Sequence, residues 1–248
     1  MRRVLIFGAT SAIAEAVARL WLAEGCALYL VARNGVKLQA IAEDLRVRRG
    51  ASAPIHTAVA DLTDHDSHAR LIAQADRALS GIDIAMIAHG SLPSQADCEA
   101  SVQVTMREIA TNALSTVSLL TLLAKFFEER SRGTIVVISS VAADRGRKSN
   151  YVYGGSKAMV SVFLEGLRGR LSSRGVHVLT VKPGFVMTPM TQDMDRRGPL
   201  WARPQTVARG IVRAVNRKDD IAYLPWFWRW IMLAVRLCPQ RIFKHLDL

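Results

Sequence analysis

The chain has 248 residues, half of them hydrophobic, and carries 33 Lys and Arg against 21 Asp and Glu, a net charge of +12. This length and composition suit one globular domain with a substantial core and exclude intrinsic disorder. Three widely spaced cysteines (Cys26, Cys98 and Cys238) exclude a disulfide framework, suggest no metal site and fit a reducing cytoplasm.

Short apolar runs alternate with helical patterns along the chain. Arg2-Arg3 ahead of Val4-Leu5-Ile6-Phe7 has the look of a signal-peptide start, but Gly8 ends the run and Glu15 follows, so a first strand at 3–8 is expected. Further strands are expected at 27–32, 55–60, 82–88, 134–139, 176–181 and 220–224. Helices are expected at 12–24, 35–49, 64–79, 103–129, 151–173 and 205–217. This alternation predicts an α/β fold: a doubly wound parallel sheet of about seven strands, with helices on both faces and right-handed crossovers. Residues 187–204 break the rhythm with three prolines, a glycine and a charge cluster, which predicts a mobile loop over the site. No run of 18 or more uninterrupted apolar residues occurs, so no transmembrane helix is expected.

The charge is uneven. Residues 1–140 hold 14 basic and 14 acidic side chains, whereas residues 141–248 hold 19 and 7. A polyanion, a membrane surface or an anionic substrate met by the second half accounts for this, as does an ordinary arginine-rich surface. No nucleic-acid recognition motif accompanies it, so no nucleic-acid partner is expected.

The first strand runs into Gly8-Ala9-Thr10-Ser11-Ala12-Ile13-Ala14. A strand–turn–helix of this kind seats a pyrophosphate on a helix N-terminus. Gly8 allows the tight turn; the second and third glycines of the usual pattern are Ala12 and Ala14, so the motif alone also fits an ordinary corner. The second strand ends at Ala32-Arg33. Ala32 cannot bind a ribose 2′-hydroxyl, while Arg33 can meet a 2′-phosphate, which favours NADP(H) over NAD(H); a solvated arginine is the bland reading. Asp61-Leu62 after the third strand can receive an adenine amino group, or Asp61 can simply cap a helix.

Tyr153 and Lys157 lie four residues apart, one turn from each other on one helix face. An ammonium beside a phenol favours phenolate and tunes it for proton exchange with a carbonyl/alcohol pair. Ser140, at the end of Ile135-Val136-Val137-Ile138, stands at the carboxyl end of a strand, where it can meet that helix face across a crevice.

Together these residues resemble the short-chain dehydrogenase/reductase family over about residues 3–225. Gly8 to Ala14 stands at the family's glycine-rich turn, Asp61 at its adenine-contacting aspartate, and Ile87-Ala88-His89-Gly90 at its Asn-Asn-Ala-Gly segment, of which only Gly90 is kept. Asn112, Ser140, Tyr153 and Lys157 match its catalytic set, and Tyr151 is a decoy. Pro183, Gly184, Val186 and Thr188 resemble its segment bordering the nicotinamide. The resemblance implies a Rossmann-type fold, hydride transfer between NADP(H) and a ketone or alcohol, and a homo-oligomer. It assigns Tyr153 as general acid in reduction. Lys157 would lower the Tyr153 pKa and hold the nicotinamide ribose, Ser140 would position the substrate oxygen, and Asn112 would hold a relay water. The segment from Ala142 to Gly154, the His89-Gly90 variant and the tail from Pro225 are also similar to the reductase subunits of decaprenylphosphoryl-ribose 2′-epimerases. That likeness implies reduction of a polyprenyl-phosphoryl 2-keto-pentose beside an oxidase partner subunit. The alternatives are a general ketone or 3-oxoacyl reductase on a soluble substrate and, from another class, a nucleotide-sensing protein without catalysis.

Residues 1–225, with a substrate loop at 187–204, are thus expected as the dinucleotide-binding domain, and 226–248 as an aromatic, basic tail. Three of the five tryptophans fall in Trp226-Phe227-Trp228-Arg229-Trp230, ahead of Ile231 to Val235, Arg236, Arg241 and Lys244. Tryptophan interleaved with arginine suits a bilayer headgroup boundary, a subunit interface or a packed terminal helix. The expected location is cytoplasmic, with the tail option of contact at the inner face of the membrane.

Overall fold

Arg3–Phe7 forms strand β1, and its side chains alternate across the sheet. Val4 and Ile6 enter one apolar layer, Leu5 and Phe7 the other, and all four are fully buried. The computed structural model describes residues 1–49, 54–192, 194 and 198–246. From β1 the chain runs through α1 (Ala12–Ala23), β2 (Ala27–Ala32), α2 (Gly35–Arg49), β3 (Ile55–Val59), α3 (Ser67–Leu79) and β4 (Ile84–Ile87). Then come α4 (Gln95–Ala100), α5 (Val102–Ile109), a π-helical turn at Ala110–Leu114, α6 (Ser115–Glu128), β5 (Gly133–Ile138), α7 (Tyr151–Leu171) and β6 (Val176–Pro183). The last third holds β7 (Phe185–Val186), β8 (Trp201–Ala202), α8 (Pro204–Arg217), β9 (Ile221–Leu224), α9 (Trp228–Leu237) and α10 (Gln240–Phe243).

Seven strands form one parallel sheet in the order β3-β2-β1-β4-β5-β6-β9. Trp21 of α1, Leu38 of α2 and Ile211 of α8 cover one face; Leu71 of α3, Phe127 of α6 and Leu164 of α7 cover the other. Strand order reverses between β1 and β4, and the carboxyl ends of these strands open a crevice there. The doubly wound parallel sheet expected from the sequence is the fold observed.

Three departures matter for function. The helix expected at 103–129 is interrupted by the π turn, which has Asn112 at its centre; such turns widen a helix locally and recur at functional sites. The stretch Val102–Glu128 is long and apolar enough to cross a membrane, but Leu119, Leu120, Leu123, Ala124 and Phe127 spend its apolar side on the core. The segment 187–204, expected as a loop over the site, includes a short helical turn at Pro189–Thr191 and is drawn back at β8, where Trp201 pairs with Phe185 of β7 and stacks on it at 5.1 Å. Its charge cluster, apart from its flanks, falls at 193 and 195–197, outside the described residues.

The tail is divided by α9 into two faces. Trp228 and Met232 are buried with Val141, beside Phe185, Tyr223 and Phe227, so this face belongs to the domain. Trp226, Trp230, Leu233 and Leu237 are exposed on the other side.

Candidate active site

A cleft of about 650 Å³ runs along the carboxyl ends of the strands. It gathers every residue singled out from the sequence: Gly8, Thr10, Ser11, Ala12, Ile13, Arg33, Asp61, Leu62, Gly90, Asn112, Ser140, Tyr153, Lys157, Pro183, Gly184, Val186 and Thr188. Tyr151 does not line it and is half exposed.

At one end, Gly8 turns the chain out of β1 at φ +77°, and a β-carbon there would lie 2.4 Å from the His89 nitrogen; only glycine fits this approach. Ser11 caps α1 without spending its hydroxyl on the helix. The orphan first-turn N–H groups and the Ser11 hydroxyl can therefore meet an anion, even though the second and third glycines are missing. At the rim, the Arg33 side chain is 80% exposed and lies 3.9 Å from Asp61. Lys37 shares that rim and was not anticipated. Asp61 accepts from the Thr63 backbone at 2.9 Å and the Thr63 hydroxyl at 2.8 Å, and these bonds hold its carboxyl below the usual range.

At the other end, β5 and α7 are locked together. The Ser139 hydroxyl reaches Ser161 Oγ at 2.8 Å and the Lys157 carbonyl at 3.2 Å. This seam sets Ser140 against the first turns of α7. Ser140 caps the short helical turn Val141–Asp144 by accepting from Ala142 N at 3.1 Å, and its hydroxyl lies near enough to the Tyr153 phenol to oppose the rise in its pKa. Lys157 is buried, and its ammonium donates to the Ile138 carbonyl at 3.2 Å. Burial lowers Lys157 from 10.5 to about 8.

The Tyr153 phenol departs from expectation. Burial raises its pKa, and the opposing influence is the Ser140 hydroxyl rather than Lys157. The ammonium sits 5.8 Å from the ring centroid and is directed to a backbone carbonyl instead of the phenol oxygen.

Asn112 is fully buried. It accepts from Ser91 N at 3.0 Å and donates to Ser91 Oγ and the Glu108 carbonyl, both at 3.1 Å. These bonds tie the π turn to the chain leaving β4. A β-carbon on Gly90 would lie 2.7 Å from Asn112 Oδ1 and 3.4 Å from Lys157 Nζ, so both residues converge on Gly90. Behind them, His89 Nε2 meets Ser115 Oγ at 2.7 Å. Burial, with Lys157 nearby, drives His89 to about 3, which keeps it neutral.

Arg147 and Asn150 complete the wall beside Tyr153. Neither was singled out as a site residue, because a polar residue in a turn looks the same in sequence whether it faces water or a cleft. Among the described residues no cluster of His, Cys, Asp and Glu forms a metal site.

Comparisons with known proteins identify the family and the fold. The family model described as short chain dehydrogenase matches residues 2–198. An uncharacterized oxidoreductase of Mycobacterium tuberculosis is 37% identical over 243 residues, covering 98% of this chain and 96% of its own. One from Streptomyces coelicolor is 33% identical over 246 residues, covering 99% and 96%. Among solved structures, a protein described as a short chain dehydrogenase/reductase family protein aligns with TM-score 0.79 at 28% identity, over 90% of this chain and 94% of its own. An actinorhodin polyketide ketoreductase variant, solved with NADPH, aligns with TM-score 0.80 at 22% identity over 90% and 95%, a likeness of fold.

Proposed function

The chain belongs to the short-chain dehydrogenase family, and from that premise we propose that this oxidoreductase uses NADPH to reduce a ketone carried on a polyprenyl-phosphoryl pentose. The observation that carries the reductase reading is the convergence of Ser140, Tyr153 and Lys157 on one cleft wall, fixed by the Ser139–Ser161 seam. The uncapped Ser11 hydroxyl and the Gly8 clearance fit a dinucleotide pyrophosphate, and Arg33 with Lys37 offers two cations to a 2′-phosphate.

When bound, the nicotinamide supplies the hydride that reduces the carbonyl carbon. Tyr153 gives its proton to the carbonyl oxygen as negative charge develops there. Ser140 holds that oxygen by hydrogen bond and stabilises the phenolate left behind. Lys157, one donor of which is held by the Ile138 carbonyl, would offer its remaining donors to the ribose, and Asn112 anchors the π turn at which a relay water would return the proton. Acid–base help of this kind is worth roughly 10²–10⁴-fold.

The lipid-linked substrate is supported by the Ala142–Gly154 segment and by the outward face of α9. Trp226 and Trp230 are 71% and 60% exposed, Leu237 is 73% exposed, and Arg229 and Arg236 flank them. Tryptophan and arginine on one helix face suit an anionic headgroup layer, each basic residue adding about 1 kcal/mol near the surface. An oxidase that makes the keto-sugar would be the companion subunit. The test is turnover of a polyprenyl-phosphoryl 2-keto-pentose with each reduced cofactor. Reduction with NADPH and release from anionic vesicles at high salt support the reading; turnover confined to soluble ketones, with no vesicle binding at low salt, defeats it.

A further inference from the structure

We propose that Arg147 is the substrate-anion receptor of the cleft, taking a phosphoryl or carboxylate oxyanion on the molecule whose carbonyl faces Tyr153. This deepens the reductase reading and rests on it. Arg147 lines the cleft on the wall that holds Ser140, Ala142 and Tyr153. Its Nε is sealed from solvent without a hydrogen-bond partner among the described residues. One Nη donates to the Met232 sulfur at 3.3 Å, and a thioether is a weak acceptor that carries no charge. Asp144, the carboxylate that acts on its charge, is already engaged: Oδ1 lies 2.5 Å from Lys182 Nζ and Oδ2 accepts from Tyr223 at 2.8 Å.

Arg145, two residues earlier, shows what a structural arginine looks like here. Its guanidinium donates to the carbonyls of Val235 and Cys238 and to Gln240 Oε1, and it stacks 3.7 Å from the Phe243 ring centroid. Arg147 has no such set. A half-buried cation with unspent donors is costly unless a ligand supplies the anion, and the planar fork of guanidinium matches phosphoryl and carboxylate oxygens. Asn150, which lines the same cleft, also has a sealed Oδ1 with no hydrogen-bond partner among the described residues. Because Met232 belongs to α9, the inner face of the tail positions the receptor.

The test is calorimetric titration of the NADP⁺-saturated protein, which blocks the pyrophosphate site, with phenyl phosphate, methyl phenyl phosphate, phenylacetate and neutral benzyl alcohol. At least one anion should bind tenfold or more tightly than benzyl alcohol. Arg147→Gln should lose that tenfold margin while NADP⁺ affinity and melting temperature stay as in wild type. Arg147→Lys, which keeps the charge without the fork, should retain part of it, and serves alone if the Gln variant does not fold. No preference for anions in the wild type, or unchanged anion binding in both variants, overturns the proposal. If the monoester or carboxylate depends on Arg147 and the diester does not, the receptor stands and the polyprenyl-phosphoryl substrate falls. Anion binding in a protein that reduces no ketone separates failure of the reductase reading from failure of this one.

Discussion

Trp228 rests its indole on Gly184: a β-carbon at 184 would lie 1.9 Å from the indole nitrogen. The terminal helix therefore touches the segment that borders the expected nicotinamide position, and Trp228 also meets Phe185 edge-on at 5.2 Å. Gly184→Ala should displace α9, lower the melting temperature by an amount corresponding to roughly 1–3 kcal/mol, and weaken NADPH binding. Adding Trp228→Ala to Gly184→Ala should recover part of the binding, because the clash is gone. Deleting 225–248 would uncover Phe185 and Tyr223, so it should weaken cofactor binding as well as any vesicle contact. Full cofactor affinity in Gly184→Ala, read by fluorescence titration, would show that the two segments are uncoupled.

Lys157 carries a stability cost with a definite sign. Folding lowers its pKa to about 8, so the folded chain holds this proton less tightly than the unfolded chain. The penalty is full below pH 8 and fades between pH 8 and 10.5, so this group makes stability rise with pH across that window. Lys157→Met should stabilise the cofactor-free protein at pH 7 by up to about 3 kcal/mol and flatten that rise, while abolishing turnover. A lower melting temperature for the variant at pH 7 would refute this.

Much of this was legible in the sequence, for physical reasons that also mark where legibility stops. Val4 to Phe7 and Ile135 to Ile138 read as buried strands because a parallel sheet covered on both faces demands continuous apolar runs. The offset of Tyr153 from Lys157 put both on one helix face. Arg147 was not legible, because a charged residue in a turn looks the same whether it faces water or a cleft; only the sealed Nε and the spent Asp144 distinguish it. The π turn at Asn112 was also hidden, since it is a change of backbone hydrogen bonding that no side-chain motif marks. The direction of Lys157 toward Ile138 depends on a backbone carbonyl, which no side-chain pattern encodes.

The proposed preference for NADPH rests on the rim at Arg33. The side chain is exposed and only 3.9 Å from Asp61, so a 2′-phosphate would compete with that weak ion pair for it. Arg33→Ala should lower NADPH affinity about tenfold, a loss of ~1.4 kcal/mol, and leave NADH affinity unchanged. Lys37→Ala in addition should remove the remaining preference. Equal NADPH and NADH affinities in the wild type would contradict the assignment.

The most direct measurement is NADPH oxidation in the presence of a ketone substrate by wild type, Tyr153→Phe and Tyr151→Phe, with NADPH affinity determined for all three. Tyr153 shares the cleft with Ser140 and Lys157, whereas Tyr151 is 48% exposed outside it. Tyr153→Phe should lose roughly 10²-fold or more in turnover with NADPH affinity retained, and Tyr151→Phe should match wild type. Equal losses in the two variants, or full activity in Tyr153→Phe, would contradict the catalytic account.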